Sequence, residues 1–157
     1  MFDENKFKIC CGVGKSQFSL SAFDAALIDA GCANYNLLKL SSILPAGFTP
    51  ATEIDLPEGS VLPTAYCFYT SNRSSAGRFS KIAAAIAIGV PSDSEKVGVI
   101  MEWSGYGDIK YAQSVVTDMV REAMERRGVR VYDIMEDGVE SDLGEEMVCV
   151  FAGISIW

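Results

Sequence analysis

The run that decides the fold is Ile82-Ala83-Ala84-Ala85-Ile86-Ala87-Ile88-Gly89-Val90, the longest apolar candidate in the sequence. It has the length of a β-strand and falls far short of the roughly 18 apolar residues that span a membrane as a helix. Turn-forming segments flank it at 71–78 and 91–96, and further apolar segments lie beyond them at 61–70 and 97–103. We therefore predict an antiparallel meander of three strands and no membrane span.

The rest of the chain predicts two helices and four more strands. The first helix should begin at Ser21 and end at Gly31, and the second should be capped by Asp108 and run to Arg127, where Gly128 stops it. Seven strands and two helices without a βαβ alternation indicate an α+β layered sandwich with mostly antiparallel sheets, built as a single domain over residues 1–157. The four additional strands are expected at 7–13, 35–40, 129–139 and 147–157.

The composition restricts the chemistry that this chain can perform. It has 157 residues, a formal net charge of −8 and no histidine. The excess of carboxylates argues against nucleic acid as a partner, because phosphate binding needs clustered lysine and arginine. The absence of histidine removes serine–histidine and cysteine–histidine pairs and most zinc sites. We therefore expect no metal, and catalysis must rely on carboxylates, lysine, tyrosine, cysteine or a cofactor.

Five cysteines are scattered along the chain without a C-x-x-C pair, and most have apolar neighbours. This pattern favours reduced thiols in the core over ligands or disulfides. The first eight residues are polar and charged, so we expect no signal peptide. Together these features predict a cytoplasmic protein. The cysteines are Cys10, Cys11, Cys32, Cys67 and Cys149.

Polar residues interrupt the apolar pattern at and after the predicted strand 35–40. Asn36 shares one face of that strand with Leu38 and Leu40, so its amide needs a hydrogen-bond partner, and a nearby loop carbonyl or amide would suffice. The pair Ser41-Ser42 follows the strand directly. A serine pair before a proline-containing loop is, by itself, an ordinary turn signal.

Two carboxylates also stand out. Glu102 alternates with Gly98 and Ile100 on one face of its predicted strand, where it should be desolvated and its pKa raised, as a general acid near neutral pH requires. The alternative is a glutamate at a strand end that reaches solvent. Asp24 fits a capping box with Ser21 at the start of the first helix, and the residues alone favour this structural role.

Several runs of the sequence carry these residues in a distinctive order and spacing: Ala22-Phe23-Asp24-Ala25-Ala26-Leu27, Asn34-Tyr35-Asn36-Leu37-Leu38-Lys39-Leu40-Ser41-Ser42-Ile43-Leu44-Pro45, Val61-Leu62-Pro63-Thr64-Ala65-Tyr66 and Gly98-Val99-Ile100-Met101-Glu102. With the closing run Phe151-Ala152-Gly153-Ile154-Ser155-Ile156-Trp157, they cover nearly the whole chain. This pattern resembles the pyruvoyl-dependent arginine decarboxylases. The combination of the serine pair with the Met-Glu strand is its specific part.

The resemblance implies that the chain is a proenzyme that cuts itself. The hydroxyl of Ser42 would attack the carbonyl of Ser41 to make an ester. β-Elimination would then release residues 1–41 and leave residues 42–157 with a covalent pyruvoyl cofactor made from Ser42. Asn36 would assist by donating a hydrogen bond to the developing oxyanion.

The same resemblance implies how L-arginine would become agmatine and carbon dioxide. The pyruvoyl ketone would act as the electron sink as carbon dioxide leaves. Glu102 would reprotonate the resulting carbanion, and Asp24, with Ser41 as a further contact, would bind the substrate and select its guanidinium group.

The resemblance further implies a layered αββα sandwich assembled as homotrimers, with active sites between neighbouring subunits. Two alternatives stay open. The chain could decarboxylate another amino acid, in which case Asp24 would not face a guanidinium group. It could also be an unprocessed, non-catalytic paralogue, in which case the chain would stay intact.

Overall fold

The computed structural model describes residues 4–157. Met1 to Asp3 lie outside the described residues, and they are the first part of the segment for which no signal peptide was expected. Within residues 4–157 no helix is long and apolar enough to cross a membrane. A short 3₁₀ helix occupies Arg73–Ser75. The main elements are β1 (Lys6–Ser16), α1 (Ser19–Asp29), β2 (Asn36–Lys39), β3 (Ile43–Leu44), β4 (Thr49–Pro50), β5 (Val61–Ser71), β6 (Lys81–Pro91), β7 (Gly98–Tyr106), α2 (Ile109–Arg126), β8 (Val131–Asp142) and β9 (Met147–Ile156).

The strands form two sheets that pack face to face. The larger sheet has the order β2-β5-β9-β1-β4, and the smaller sheet has the order β3-β7-β6-β8. All pairs are antiparallel except β1 with β4 and β2 with β5. Helix α1 covers the outer face of the larger sheet and α2 covers that of the smaller sheet. The predicted αββα sandwich with mostly antiparallel sheets is therefore confirmed.

The sequence of β6 accounts for its central position. Its isoleucines point between the sheets, where they pack against β9, and its alanines at 83, 85 and 87 point towards α2. Small side chains on that face let the helix lie close to the strand. Because β6 has a strand on each edge and apolar layers on both faces, nearly all of it is buried. The apolar run over residues 82–90 is thus in the middle of the smaller sheet.

Two glycines of β1 let α1 approach the larger sheet. A Cβ atom on Gly12 would lie 2.2 Å from the carbonyl oxygen of Ala26, and one on Gly14 would lie 2.2 Å from that of Ala22. Any side chain at either position would therefore collide with the helix backbone. The close contact of α1 with β1 depends on these two residues.

The predicted ends of both helices are correct, but the predicted start of α1 is wrong. Gly31 and Gly128 follow α1 and α2 with φ angles of +73° and +63°, the left-handed conformation that glycine adopts easily. However, α1 begins at Ser19, and its N-cap residue Phe18 makes no side-chain capping hydrogen bond. Ser21 therefore lies inside the helix, and the capping box with Asp24 is not formed.

The predicted three-strand meander is correct only in part. Strands β6 and β7 pair as expected, but β5 belongs to the larger sheet, between β2 and β9. The loop after Ser71 carries the chain across the sandwich instead of turning back within one sheet. A local turn signal cannot distinguish these two connections, because both join consecutive apolar strands by a short polar segment.

Candidate active site

The Ser41-Ser42 bond lies where the chain crosses from one sheet to the other. Before it, the amide of Leu40 donates to the carbonyl of Thr64 in β5 at 3.0 Å, which continues the pairing of β2 at the edge of the larger sheet. After it, the carbonyl of Ser42 accepts a hydrogen bond of 2.8 Å from the amide of Ile100 in β7. The two sides of the serine pair are thus anchored to β5 and to β7, and the bond between the serines joins the two sheets.

Both serine hydroxyls are available for chemistry. Ser41 is exposed and Ser42 is half-buried. Within residues 4–157, neither hydroxyl group takes part in a hydrogen bond, so neither is committed to a turn or a cap. The sequence alone favoured an ordinary turn at this position, and the hydrogen bonds that such a turn would use are absent from this part of the chain.

Glu102 lies between the sheets in the setting that its alternation with Ile100 predicted. Ile100 belongs to the core between the sheets, whereas Val99, Met101 and Trp103 face α2. Burial raises the pKa of the Glu102 carboxyl, and the positive charge of Lys39 acts in the opposite direction. The predicted rise in the pKa of Glu102 is confirmed.

Three further side chains, which no sequence pattern singled out, surround Glu102. Lys39 Nζ donates to the carbonyl of Tyr66 at 2.6 Å, and Ser104 Oγ donates to the carbonyl of Phe68 at 3.0 Å. Cys67 lies between these carbonyls on β5, and its neighbourhood includes the Glu102 carboxylate. We call Lys39, Cys67, Glu102 and Ser104 the Glu102 cluster. The only signal in the sequence was the position of Lys39, two residues before the serine pair.

Asn36 binds a loop carbonyl, as the structural alternative required. Its Nδ2 donates to the carbonyl of Gly59 at 2.8 Å, and its backbone amide donates to that of Ser60 at 2.9 Å. Residues 36 to 40 are extended and span about 13 Å. Within one chain, Asn36 is therefore not next to the Ser41-Ser42 bond, and its side chain is exposed.

Asp24 lies on the far side of the larger sheet from Glu102. It is an exposed residue in the middle of α1 and makes no hydrogen bond or ion pair within residues 4–157. The adjacent Phe23 packs against Phe68 on the outer face of β5, with ring centroids 4.6 Å apart. One chain thus places Glu102 on the strand that binds Ser42, two residues from Ile100, and leaves Asp24 on the far side of the larger sheet.

All five cysteines are free, as predicted, and three of them are fully buried. Burial raises the pKa of the Cys67 thiol to about 12, and the negative charge of Glu102 adds to this rise. Cys67 is therefore a neutral thiol at physiological pH rather than a nucleophile. No group of histidine, cysteine and acidic side chains within residues 4–157 has the arrangement of a metal site.

Comparison with known proteins places this geometry in a family. A family model described as pyruvoyl-dependent arginine decarboxylase matches residues 6–153. Relatives with that name occur in Methanococcus aeolicus (35% identical, covering 98% of this chain and 90% of the relative), Methanocaldococcus jannaschii (34%, 98% and 90%) and Thermococcus sibiricus (34%, 86% and 84%). The resemblance drawn from the serine pair and the Met-Glu strand is confirmed, and with it the class of the enzyme, a carboxy-lyase with a covalent pyruvoyl group. The chain belongs to the pyruvoyl-dependent arginine decarboxylase family.

Proposed function

We propose that this chain is a proenzyme that cleaves itself between Ser41 and Ser42 and then converts L-arginine to agmatine and carbon dioxide. The observation that carries the proposal is the position of the serine pair. Its hydroxyl groups make no hydrogen bond within residues 4–157, and its peptide bond joins segments that are anchored to β5 and β7. A desolvated carboxyl group, Glu102, lies two residues along β7 from Ile100, whose amide binds Ser42. The names of the relatives supply the substrate.

Self-cleavage needs a nucleophile, a carbonyl group that is held in place, and room for the chain to move. The Ser42 hydroxyl attacks the Ser41 carbonyl carbon, the bond to the Ser42 nitrogen breaks, and an ester results. β-Elimination then breaks the bond between Ser42 Cβ and the ester oxygen and releases Ser41 as a new carboxyl terminus. The dehydroalanine left at position 42 takes up water and loses its nitrogen as ammonia, which gives the pyruvoyl group. Residues 1–41 stay attached after the cut, because β1 pairs with β9 from Phe7↔Ile156 to Ser16↔Met147. We therefore expect residues 1–157 to remain one domain in two chains.

The residues present fit a pyruvoyl group at position 42. The carbonyl of residue 42 survives the conversion, and the Ile100 amide already holds it at 2.8 Å. When formed, the group supplies an electron sink for the electrons that the departing carbon dioxide leaves behind. Because β3 and β7 pair on the other side of it, through Ile43↔Val99 and Leu44↔Gly98, position 42 is fixed relative to Glu102.

The remaining site residues act on substrate and protons. The Glu102 carboxyl, whose burial favours the protonated form, gives its proton to the substrate carbon after carbon dioxide has left. Asp24 accepts two hydrogen bonds from the guanidinium group of arginine, and the new carboxylate of Ser41 faces the substrate. Asn36 donates to the oxyanion that forms during self-cleavage.

A site built this way requires more than one chain. Asn36 is about 13 Å along the strand from Leu40, and Asp24 is on the opposite face of the larger sheet. We therefore propose a homotrimer in which the Asp24 and Asn36 of one subunit meet the Glu102 and position 42 of its neighbour. Exposed apolar side chains flank Asp24 on α1, namely Leu20 at 79% and Ile28 at 64%, and they support a contact on that face. Free cysteines support a cytoplasmic location.

Mass spectrometry of the purified protein, followed by an assay of agmatine, tests the proposal. We expect two chains, residues 1–41 and 42–157, with the longer one blocked to Edman degradation. Ser42→Ala should stay intact and inactive, and Ser42→Cys should cleave slowly through its thiol. A wild-type chain that stays intact after long incubation would refute self-cleavage. Cleaved protein that turns over another amino acid in preference to arginine would refute the substrate.

A further inference from the structure

Lys39 is held in an unusual place for a lysine on an edge strand. Its Nζ donates to the Tyr66 carbonyl at 2.6 Å and lies 4.5 Å from the centroid of the Tyr66 ring. An ammonium group over an aromatic face is attracted by the negative charge of that face. The two contacts fix the charged end of a side chain that is otherwise exposed to solvent.

Lys39 can reach the Tyr66 carbonyl because the pairing of β2 with β5 ends at the bond from the Leu40 amide to Thr64. Carbonyls at alternate positions of β5 point towards the same neighbouring strand. Thr64 accepts from the Leu40 amide, but the pairing with β2 ends there, so the carbonyls of Tyr66 and Phe68 have no β2 amide to bond. Lys39 and Ser104 fill these two places with side-chain donors. The ammonium group thus substitutes for a backbone amide at the edge of β5.

This arrangement points a positive charge at Glu102. The charge of Lys39 lowers the pKa of the Glu102 carboxyl, against the larger effect of burial. From β5 the titratable group nearest to Glu102 is Cys67, which is neutral, and Ser104 on β7 is not titratable. The strand paired on the other side of Glu102, β6, presents Ile86. Beyond Ile86 in the same row lies Asp137 of β8, whose charge acts on Cys11 of β1. Among the described residues, Lys39 is the charged group found to act on Glu102.

We propose that Lys39 is a positioning residue for Glu102: fixed against the edge of β5, its ammonium group offsets the burial of this acid and keeps its proton transferable. The inference rests on the proposed function, in which Glu102 is the proton donor. An acid transfers protons best when its proton affinity matches the working pH, and the Lys39 charge opposes the rise in the proton affinity of Glu102 that burial causes. Lys39 also lies two residues before the cleavage site, so cleavage leaves it near the new terminus of the short chain.

The titration of Glu102 can be measured without enzymatic activity. Full-length Ser42→Ala protein, which stays in one piece, is labelled with ¹³C at the glutamate side-chain carboxyl groups, and Glu102→Gln identifies the resonance by its loss. We expect Lys39→Met to move the midpoint of that titration to higher pH. Lys39→Arg should keep the charge and restore the midpoint. Lys15→Met, which removes an exposed lysine from β1, is the matched control and should leave it unchanged.

The cleaved enzyme provides an independent measurement. In Lys39→Met, the alkaline limit of kcat should move to higher pH, while KM for arginine stays unchanged. Tyr66→Leu removes the ring beneath the ammonium group and should move the Glu102 midpoint in the same direction by less. A Glu102 midpoint that is the same with and without the Lys39 charge would overturn the inference, as would an equal change in Lys15→Met. An inactive wild type would instead overturn the proposed function, and the titration would reveal the difference.

Discussion

Two regions of the molecule share the proposed chemistry, and their surroundings differ. The cleavage region, formed by Ser41, Ser42, Lys39 and Glu102, lies at the junction of the two sheets and has an acid with a raised pKa. The substrate region, formed by Asp24 and Asn36, is exposed and lies along or across the larger sheet from that junction. Under the proposed function, the acid of the cleavage region is desolvated within one chain, whereas the binding groups are exposed and require a neighbouring subunit.

The largest effect on turnover should come from Glu102→Gln in the cleavage region. The amide keeps the shape and hydrogen-bonding capacity of the acid but has no proton to transfer. We expect self-cleavage to proceed and agmatine formation to fall by about 10²- to 10⁴-fold, the usual contribution of a positioned acid. Single-turnover assays of the cleaved protein measure this directly. Glu146→Gln, in the exposed turn before β9, is the control, and wild-type activity in Glu102→Gln would remove the catalytic assignment.

The raised pKa of Glu102 also has a consequence for stability. A carboxyl group whose pKa is raised on folding binds its proton more tightly in the folded chain, so it favours folding at low pH and loses that contribution as pH rises through the folded-state pKa. Glu102→Gln should therefore stabilise the fold at pH 8 relative to wild type and do so less at pH 4. Denaturant unfolding of the Ser42→Ala chain at the two pH values tests this, and an equal difference at both would contradict it.

Asn36→Ala should have the next largest effect, on maturation rather than on turnover. Loss of one oxyanion donor typically slows a reaction by about 10²- to 10³-fold. Asn34→Ala is a matched control, because Asn34 Nδ2 also bonds the 58–59 turn, at 2.7 Å from Glu58 Oε1. If both variants mature equally slowly, Asn36 acts only by holding that turn. Time courses of cleavage, followed by mass, distinguish the two roles.

Asp24→Asn should reduce turnover of arginine about 10- to 100-fold, the loss of a charge-assisted hydrogen bond. Turnover of citrulline, which has the same length without the charge, should fall far less, and equal losses of turnover for both substrates would remove the arginine assignment.

Co-expression of Asp24→Asn with Glu102→Gln sharpens the comparison of the two regions. In a ring of randomly mixed subunits, about a quarter of the interfaces join an intact Asp24 to an intact Glu102, so activity should return. No recovery would mean that each chain uses its own residues.

Features that depend on residues close together in the sequence could be predicted from it, whereas features that depend on contacts between distant segments could not. The raised pKa of Glu102 follows from the alternation of one strand, and the ends of both helices follow from Gly31 and Gly128. The sheet of β5 and the role proposed for Lys39 depend on which strands pair and where that pairing stops. These are contacts between distant segments, and no local pattern specifies them.

The smallest effect concerns the two helices, one behind each region. Helix α2, behind the cleavage region, has two acidic partners at its start: Asp108 Oδ1 accepts from the Tyr111 amide and Glu140 Oε2 from the Ile109 amide, both at 2.8 Å. Helix α1, which carries Asp24, has no side-chain cap. Asp108→Ala should therefore lower the free energy of unfolding by about 1 kcal/mol, the usual loss on removing such a cap.

Ser21→Ala is the matched control for that cap, since the sequence predicted a cap at Ser21 and the structure has an exposed residue inside α1. Alanine is the better helix former, so this change should leave stability unchanged or raise it slightly. Denaturant unfolding of both variants in the uncleaved Ser42→Ala chain measures the difference without interference from maturation. Equal losses in the two variants would mean that α1 is capped at Ser21 after all. Neither change should alter the rate of self-cleavage, because neither residue contacts the junction of the sheets.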